Sequence, residues 1–236
     1  MINKVLLDEE GRKYYWTKGD LSTHLGTIKE KDIKNKYEVK SNLGKKFIVL
    51  DANFLDNLSK IKRSSATTHL KDIGAMLVYT GINKESIVLE AGSGSGQLTA
   101  LLSRFVKKVY SYEKNKNSYE LTKKNLDFLN ISNVELKNED LKKAKEKNLD
   151  LVVLDMLDPW NYINKISKML KKSSYVVSYL TNVNQISSLL NGLKKEFIVE
   201  KIIEVNEREW ISKGIVLRPE HWGLVHTAFL LFARKI

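Results

Sequence analysis

The sequence predicts an α/β protein: a mainly parallel sheet with helices on both faces over residues 59–236, preceded by a small β-rich domain over residues 1–58. Three observations predict it. From about residue 70, apolar runs of strand length alternate with stretches of helical periodicity. One of those runs feeds a turn with three glycines that opens directly into a helix. Before residue 60 the pattern is short β-type runs separated by glycines, with no long apolar helix.

The elements follow in chain order. Residues 13–16 (Lys-Tyr-Tyr-Trp) and 46–50 (Lys-Phe-Ile-Val-Leu) read as strands, with turns at Gly11, Gly19, Gly26 and Gly44. In the second domain, strands are expected over 87–90, 109–113, 134–136, 149–155, 174–179, 197–205 and 227–233. Helices are expected over 96–105, 118–129, 162–170 and 183–193. The lysines between Lys142 and Lys147 read as the solvated face of a further helix.

Composition narrows the functional classes. The chain of 236 residues has no cysteine, which excludes disulfide frameworks, thiolate metal sites, iron–sulfur clusters and a cysteine nucleophile. No stretch approaches the ~18 apolar residues of a membrane span, and the first 16 residues lack an apolar run of signal-peptide length, so a cytoplasmic protein is expected. Lysine and arginine number 40 against 28 acidic residues, a net charge of +12 spread along the chain. That excess suits a polyanionic partner, because phosphate neutralisation with counterion release drives nucleic-acid binding. The plain alternative is a lysine-rich surface that serves solubility.

The most informative stretch is Val88-Leu89-Glu90-Ala91-Gly92-Ser93-Gly94-Ser95-Gly96-Gln97-Leu98-Thr99. A strand, a turn with glycines at i, i+2 and i+4, and then a helix let a ligand press on the backbone with helix N–H groups directed at it. The Gly-Lys-Ser/Thr of a phosphate loop is missing, and the third glycine comes one residue earlier than in the dinucleotide fingerprint. Glu90 would repel a pyrophosphate and suits a ligand that carries cationic groups. Further acids stand at later strand ends. Glu113 can accept two ribose hydroxyls, Asp140 can take an adenine amino group, and Asp155 ends the fourth strand at the ligand edge of the sheet.

The Glu-x-Gly-x-Gly-x-Gly arrangement resembles that of the class I S-adenosylmethionine-dependent methyltransferases, which implies their Rossmann-like sheet and S-adenosylmethionine as cofactor. On that resemblance the cofactor is held by Glu90, Gly92, Ser93, Gly94, Ser95, Gly96, Gln97, Leu98, Thr99, Glu113, Ser118, Asp140 and Asp155, with no metal. The stretch Leu154-Asp155-Met156-Leu157-Asp158-Pro159-Trp160 is similar to the Leu-Asp-x-x-x-Pro-Trp of the tRNA (adenine-58-N1)-methyltransferase family. Residues 62–72, residues 179–185 and Val225-His226-Thr227-Ala228-Phe229-Leu230 resemble three more segments of that family. His69-Leu70 stand where it usually has Tyr-Pro, and Thr181 where it has a proline.

This resemblance implies Asp155 as catalytic residue, tRNA as substrate and a homotetramer as the assembly. A flipped base would stack on His69, Trp160 or Tyr179, with Asn182 beside it and Arg218 as a phosphate contact. Asp158 is expected to cap the helix that follows, and His226 to bond across the sheet. Trp210 and Trp222 read equally as core or interface. Two other readings fit the same residues: a class I methyltransferase acting on a protein or small molecule, and a non-catalytic tRNA-binding subunit.

Overall fold

The computed structural model describes residues 1–63, 67–221, 223 and 226–236. Trp222, Val225 and residues 64–66 of the stretch before the first sheet strand lie outside them. The chain divides into two compact units, Met1–Ile61 and Lys62–Ile236. The expected limit after residue 58 falls slightly earlier, at the end of a short helix.

The first unit comprises β1 (Lys4–Asp8), β2 (Lys13–Trp16), β3 (Leu21–Thr23), β4 (Gly26–Ile28), α1 (Glu30–Asn35), β5 (Glu38–Lys40), β6 (Lys46–Asp51) and α2 (Phe54–Leu58). Four strands form an antiparallel sheet in the order β2-β1-β6-β5. Leu6, Trp16, Ile28, Ile33, Val39, Phe47 and Val49 make its core. Asp8 stabilises the β1–β2 turn by accepting the N–H groups of Glu10 and Arg12. Asn53 closes a reciprocal capping box with Asp56 at the start of α2.

The second unit runs α3 (Leu70–Thr80), β7 (Ile87–Ala91), α4 (Gln97–Phe105), β8 (Lys108–Tyr112), α5 (Lys116–Phe128), β9 (Val134–Lys137), β10 (Leu149–Leu154), α6 (Ile163–Met169), β11 (Leu170–Leu180), α7 (Val183–Gly192), β12 (Phe197–Glu204), β13 (Trp210–Lys213), β14 (Val216–Pro219) and β15 (Phe229–Lys235). Seven strands form one sheet in the order β12-β15-β11-β10-β7-β8-β9, in which β15 runs antiparallel to both neighbours. The central strand β10 is apolar at nearly every position because helices cover both of its faces. Leu149, Leu151, Val152, Val153 and Leu154 are all fully buried.

Three expectations change in detail. The Lys142–Lys147 stretch is not a helix face. Asp140 accepts the Lys142 N–H and starts only a 3₁₀ turn, Leu141–Lys143; Ala144 then turns inward, and Glu146 folds back to accept from Tyr112 Oη and Lys137 Nζ. Helix α5 starts at Lys116 because the Asn115 side chain accepts from Asn117 N and Ser118 N. Strand β11 starts at Leu170 through a bridge to Leu149, with a register shift before Tyr175.

Candidate active site

The carboxyl ends of β7, β8 and β10 lie together where the strand order reverses, the position at which open α/β sheets bind ligands. The loop leaving β7 owes its shape to glycines with different duties. A Cβ on Gly92 (φ +96) would stand 1.9 Å from the Asp155 carbonyl oxygen, and one on Gly96 (φ +80) would stand 2.9 Å from Thr122 Cγ2. These two let the loop pack on β10 and α5. Gly94 (φ +57) meets nothing within 4 Å and faces open space.

Glu90 lies beneath this loop, fully buried, and its Oε2 accepts from Thr99 Oγ1 (2.5 Å) and Ser111 Oγ (2.8 Å). Burial pushes its carboxyl up to about 7; the two hydroxyl bonds oppose that rise, and the carboxylates of Asp155 and Glu113 add to it. Its Oε1 has no hydrogen-bond partner. Glu113, directly after β8, accepts from Gly94 N on Oε2 (3.1 Å) and from Asn115 N on Oε1 (2.8 Å). It thereby ties the loop to the second strand and keeps a lone pair free on each oxygen.

A cavity of about 420 Å³ opens on this edge, lined by Ala91, Gly92, Glu113, Asp140, Asp155 and Tyr162 among others. A small recess, lined by Thr67, Thr68, Gly92, Ser93, Gly94, Ser95, Gln97, Leu98 and Asp155, adjoins it. Gly92 and Asp155 belong to both. Asp155 follows β10 directly, its backbone N–H donates to Ala91 O (2.9 Å), and its Oδ2 accepts from Thr68 Oγ1 (2.9 Å). Burial pushes its carboxyl up to about 6 against the pull of the Thr68 bond, with Glu113 adding to the rise. A further open groove of about 830 Å³ lies beside the cavity and shares Lys142 with it; Lys137, Lys143, Lys145 and Lys165 also line the groove. It holds neither the glycine loop nor Asp155.

S-adenosylmethionine fits these residues. Glu90 offers a buried carboxylate oxygen without a partner under the loop, Gly94 leaves the loop surface open, and Glu113 and Asp140 stand on the cavity wall.

The structure brings together Gly92, Glu113, Asp140 and Asp155 in the cavity, and Ser93, Gly94, Ser95, Gln97 and Leu98 in the recess. It separates others from both. Thr99 serves Glu90 from below, Gly96 packs on Thr122, and Ser118 sits in the first turn of α5. His69 is exposed at the N-cap of α3, so it is not a core histidine, and it lines neither concavity. Trp160 packs half-buried on the core with its Cβ against Gly192 and lines neither concavity; Asn161 and Tyr162 of the same turn line the cavity.

Tyr179 is buried and donates to Asp72 Oδ2 (3.2 Å), so its ring is not free to receive a base. Asn182 caps α7 by accepting from Gln185 N. Arg218 lies on the β13–β14 hairpin and donates to Pro219 O. Asp158 makes no side-chain cap, contrary to expectation, and lines the cavity. His226 does bond across the sheet, to Glu204, and to Thr181 O.

Sequence reasoning missed Thr68 and Tyr162. Tyr162 Oη donates to Asp140 Oδ2 (3.1 Å), and its signal was a polar-tipped aromatic in the first turn after the 154–160 stretch. Thr68 had no local signal, since its partner is 87 residues away.

A seven-stranded sheet with one antiparallel strand, a glycine loop after the first of its strands, and acids after the next ones define a class I S-adenosylmethionine-dependent methyltransferase. The comparison with known families is more particular: residues 61–224 match the model described as tRNA methyltransferase complex GCD14 subunit, and the chain belongs to that family. A relative from Methanocaldococcus jannaschii, tRNA (adenine(57)-N(1)/adenine(58)-N(1))-methyltransferase TrmI, is 32% identical over 98% of this chain and 94% of its own length. The crystal structure of the tRNA (m1A58) methyltransferase TrmI from Aquifex aeolicus superposes with a TM-score of 0.86 at 28% identity, covering 99% of this chain and 96% of that one. A structure from Thermotoga maritima described as a SAM-dependent O-methyltransferase superposes with a TM-score of 0.87 at 27% identity, covering 100% and 93%.

Proposed function

We propose that this chain transfers a methyl group from S-adenosylmethionine to N1 of adenine 58 in the T loop of tRNA, with adenine 57 as a second position, in the cytoplasm. One observation carries the reading: a strand-end carboxylate, Asp155, stands on the wall shared by the cavity and the recess in a chain of this family. The bound cofactor supplies an electrophilic methyl group on a sulfonium. Glu113 and Asp140 hold the nucleoside part in the cavity, and the loop Gly92–Gly96 with Glu90 beneath it receives the cationic part. N1 needs no proton removed before it attacks, so alignment is the main task of the protein. Methylation brings positive charge onto the purine, and Asp155 stabilises it by accepting a hydrogen bond from the exocyclic amine.

The lysine-lined groove beside the cavity, with Lys143, Lys145 and Lys165, supports an RNA backbone as partner. Self-association into a homotetramer is supported by the β13–β14 hairpin, whose Trp210, Ile215 and Leu217 are 58%, 103% and 70% exposed. Nucleoside analysis of an unmodified tRNA transcript after incubation with enzyme and cofactor tests the reading; 1-methyladenosine is the expected product.

The Thermotoga neighbour favours a second reading, methyl transfer to a hydroxyl. Asp155 would then act as the base that takes the hydroxyl proton, for which a carboxyl near pH 6 is suited. A methylated small molecule, with tRNA left unmodified, would favour it.

A further inference from the structure

Lys71-Asp72, Tyr179 and Thr227 are far apart in the chain, each lies in a stretch singled out in the sequence, and none faces the cavity. They meet on one carboxylate. Asp72 is fully buried; its Oδ1 accepts from Lys71 Nζ (2.8 Å), and its Oδ2 accepts from Tyr179 Oη (3.2 Å) and Thr227 Oγ1 (2.8 Å). Lys71 Nζ spends its other two hydrogens on Val205 O (2.6 Å) and Thr227 Oγ1 (2.6 Å). The ammonium is saturated, so this buried pair anchors the start of α3 to β11, to the end of β12 and to the segment before β15.

Four residues before Asp72 stands Thr68, almost fully buried. Its carbonyl oxygen accepts from Gln97 Nε2 (2.8 Å), and its hydroxyl donates to Asp155 Oδ2 (2.9 Å). The segment that carries Thr68 is thus held at one end by α4 and at the other by the Asp72 network. A hydroxyl held this way is preorganised and needs no reordering when substrate arrives.

We propose that Thr68 is a positioning residue for Asp155, fixing the orientation of its carboxylate and keeping it ionised during methyl transfer. The proposal rests on the reading of Asp155 given above. Charged and titratable groups around this carboxylate are Glu90 on β7, Glu113 after β8, Tyr179 on β11, and Tyr112, Glu139, Asp140, Asp158 and Tyr162 on the cavity wall. All of these are acidic groups, and Lys114 and Lys142 are the cations that line the same cavity. Thr68 is the side-chain donor to Asp155 among the described residues. Without it, burial and Glu113 act unopposed and the carboxyl protonates at higher pH. A hydrogen bond to a charged group corresponds to a shift of about one pH unit or more.

The test combines single-turnover methylation across pH with a ¹³C-carboxyl NMR titration of the aspartates in the free protein, the Asp155 signal being assigned with Asp155→Asn. Thr68→Val should raise both midpoints by about one pH unit and recover most of its rate at high pH. Thr68→Ser should restore both midpoints, and Thr68→Ala serves as a second donor-less variant if the valine protein does not fold. A rate loss equal at every pH, with the Asp155 midpoint unmoved, overturns the proposal and makes Thr68 merely structural. Because the titration needs neither cofactor nor RNA, a wild-type protein that leaves tRNA unmethylated would refute the functional reading while this inference is decided separately.

Discussion

Asp155 and Asp158 stand in one short stretch of chain, yet their partners give them different roles. Asp155 holds the Thr68 bond at the junction of cavity and recess, whereas the Asp158 side chain is exposed and caps nothing. Asp155→Ala is expected to fold, bind cofactor and lose on the order of 10²–10³-fold in single-turnover methylation. Asp158→Ala should keep its stability within about 0.5 kcal/mol, as for a surface change with no cap to lose. Denaturant unfolding of both variants beside their turnover checks the pair. Glu90 makes a different prediction. Its folded carboxyl sits at about 7 against 4.5 for the free group, so the folded state holds an extra proton between those values. Stability must then fall as pH rises from about 4.5 to about 7, by roughly 3 kcal/mol in all. Glu90→Gln should flatten that slope in melts of the free protein; an unchanged slope would place the titrating group elsewhere.

At the scale of elements, the glycine loop and the α3 anchor carry opposite kinds of constraint. Gly92→Ala puts a methyl group into the Asp155 carbonyl and should displace the loop from β10, costing both stability and cofactor binding. Gly94→Ala meets no atom and is expected to cost about 1–2 kcal/mol of left-handed backbone strain. Gly94→Val adds β-branching to that strain, so a weakened affinity there mixes conformation with direct obstruction. Calorimetric unfolding and cofactor titration of the two alanine variants separate these effects. In the anchor, Thr227→Val leaves Lys71 and Asp72 each short of a buried partner and should cost about 1–3 kcal/mol.

For the molecule as a whole, charge and exposure make the predictions. The net charge of +12 and the lysine groove imply that tRNA affinity falls steeply with salt. Replacing Lys143, Lys145 and Lys165 with glutamine should lower the slope of log K against log salt by about 0.7–0.9 for each phosphate that the groove no longer neutralises. Filter binding between low and physiological ionic strength reads it. Leu217→Lys and Ile215→Lys should leave monomer folding intact, because both side chains are exposed, and should weaken self-association measured by sedimentation.

What the sequence by itself determined was local in origin. The period of its apolar runs predicted the strands and helices, and Glu90 to Gly96 identified a loop whose glycine spacing and acid are legible in seven consecutive residues. Glu113 and Asp155 were legible for the same reason, since a strand end is a local feature. Only the tertiary structure decided which neighbours those residues have. It withdrew Trp160 onto the core, committed Tyr179 to Asp72, and brought Thr68 to Asp155 across 87 residues of chain. Periodicity reports which face of an element is buried; it carries no record of the hydrogen-bond partner on another element, and the Thr68 bond to Asp155 is a pairing of that kind.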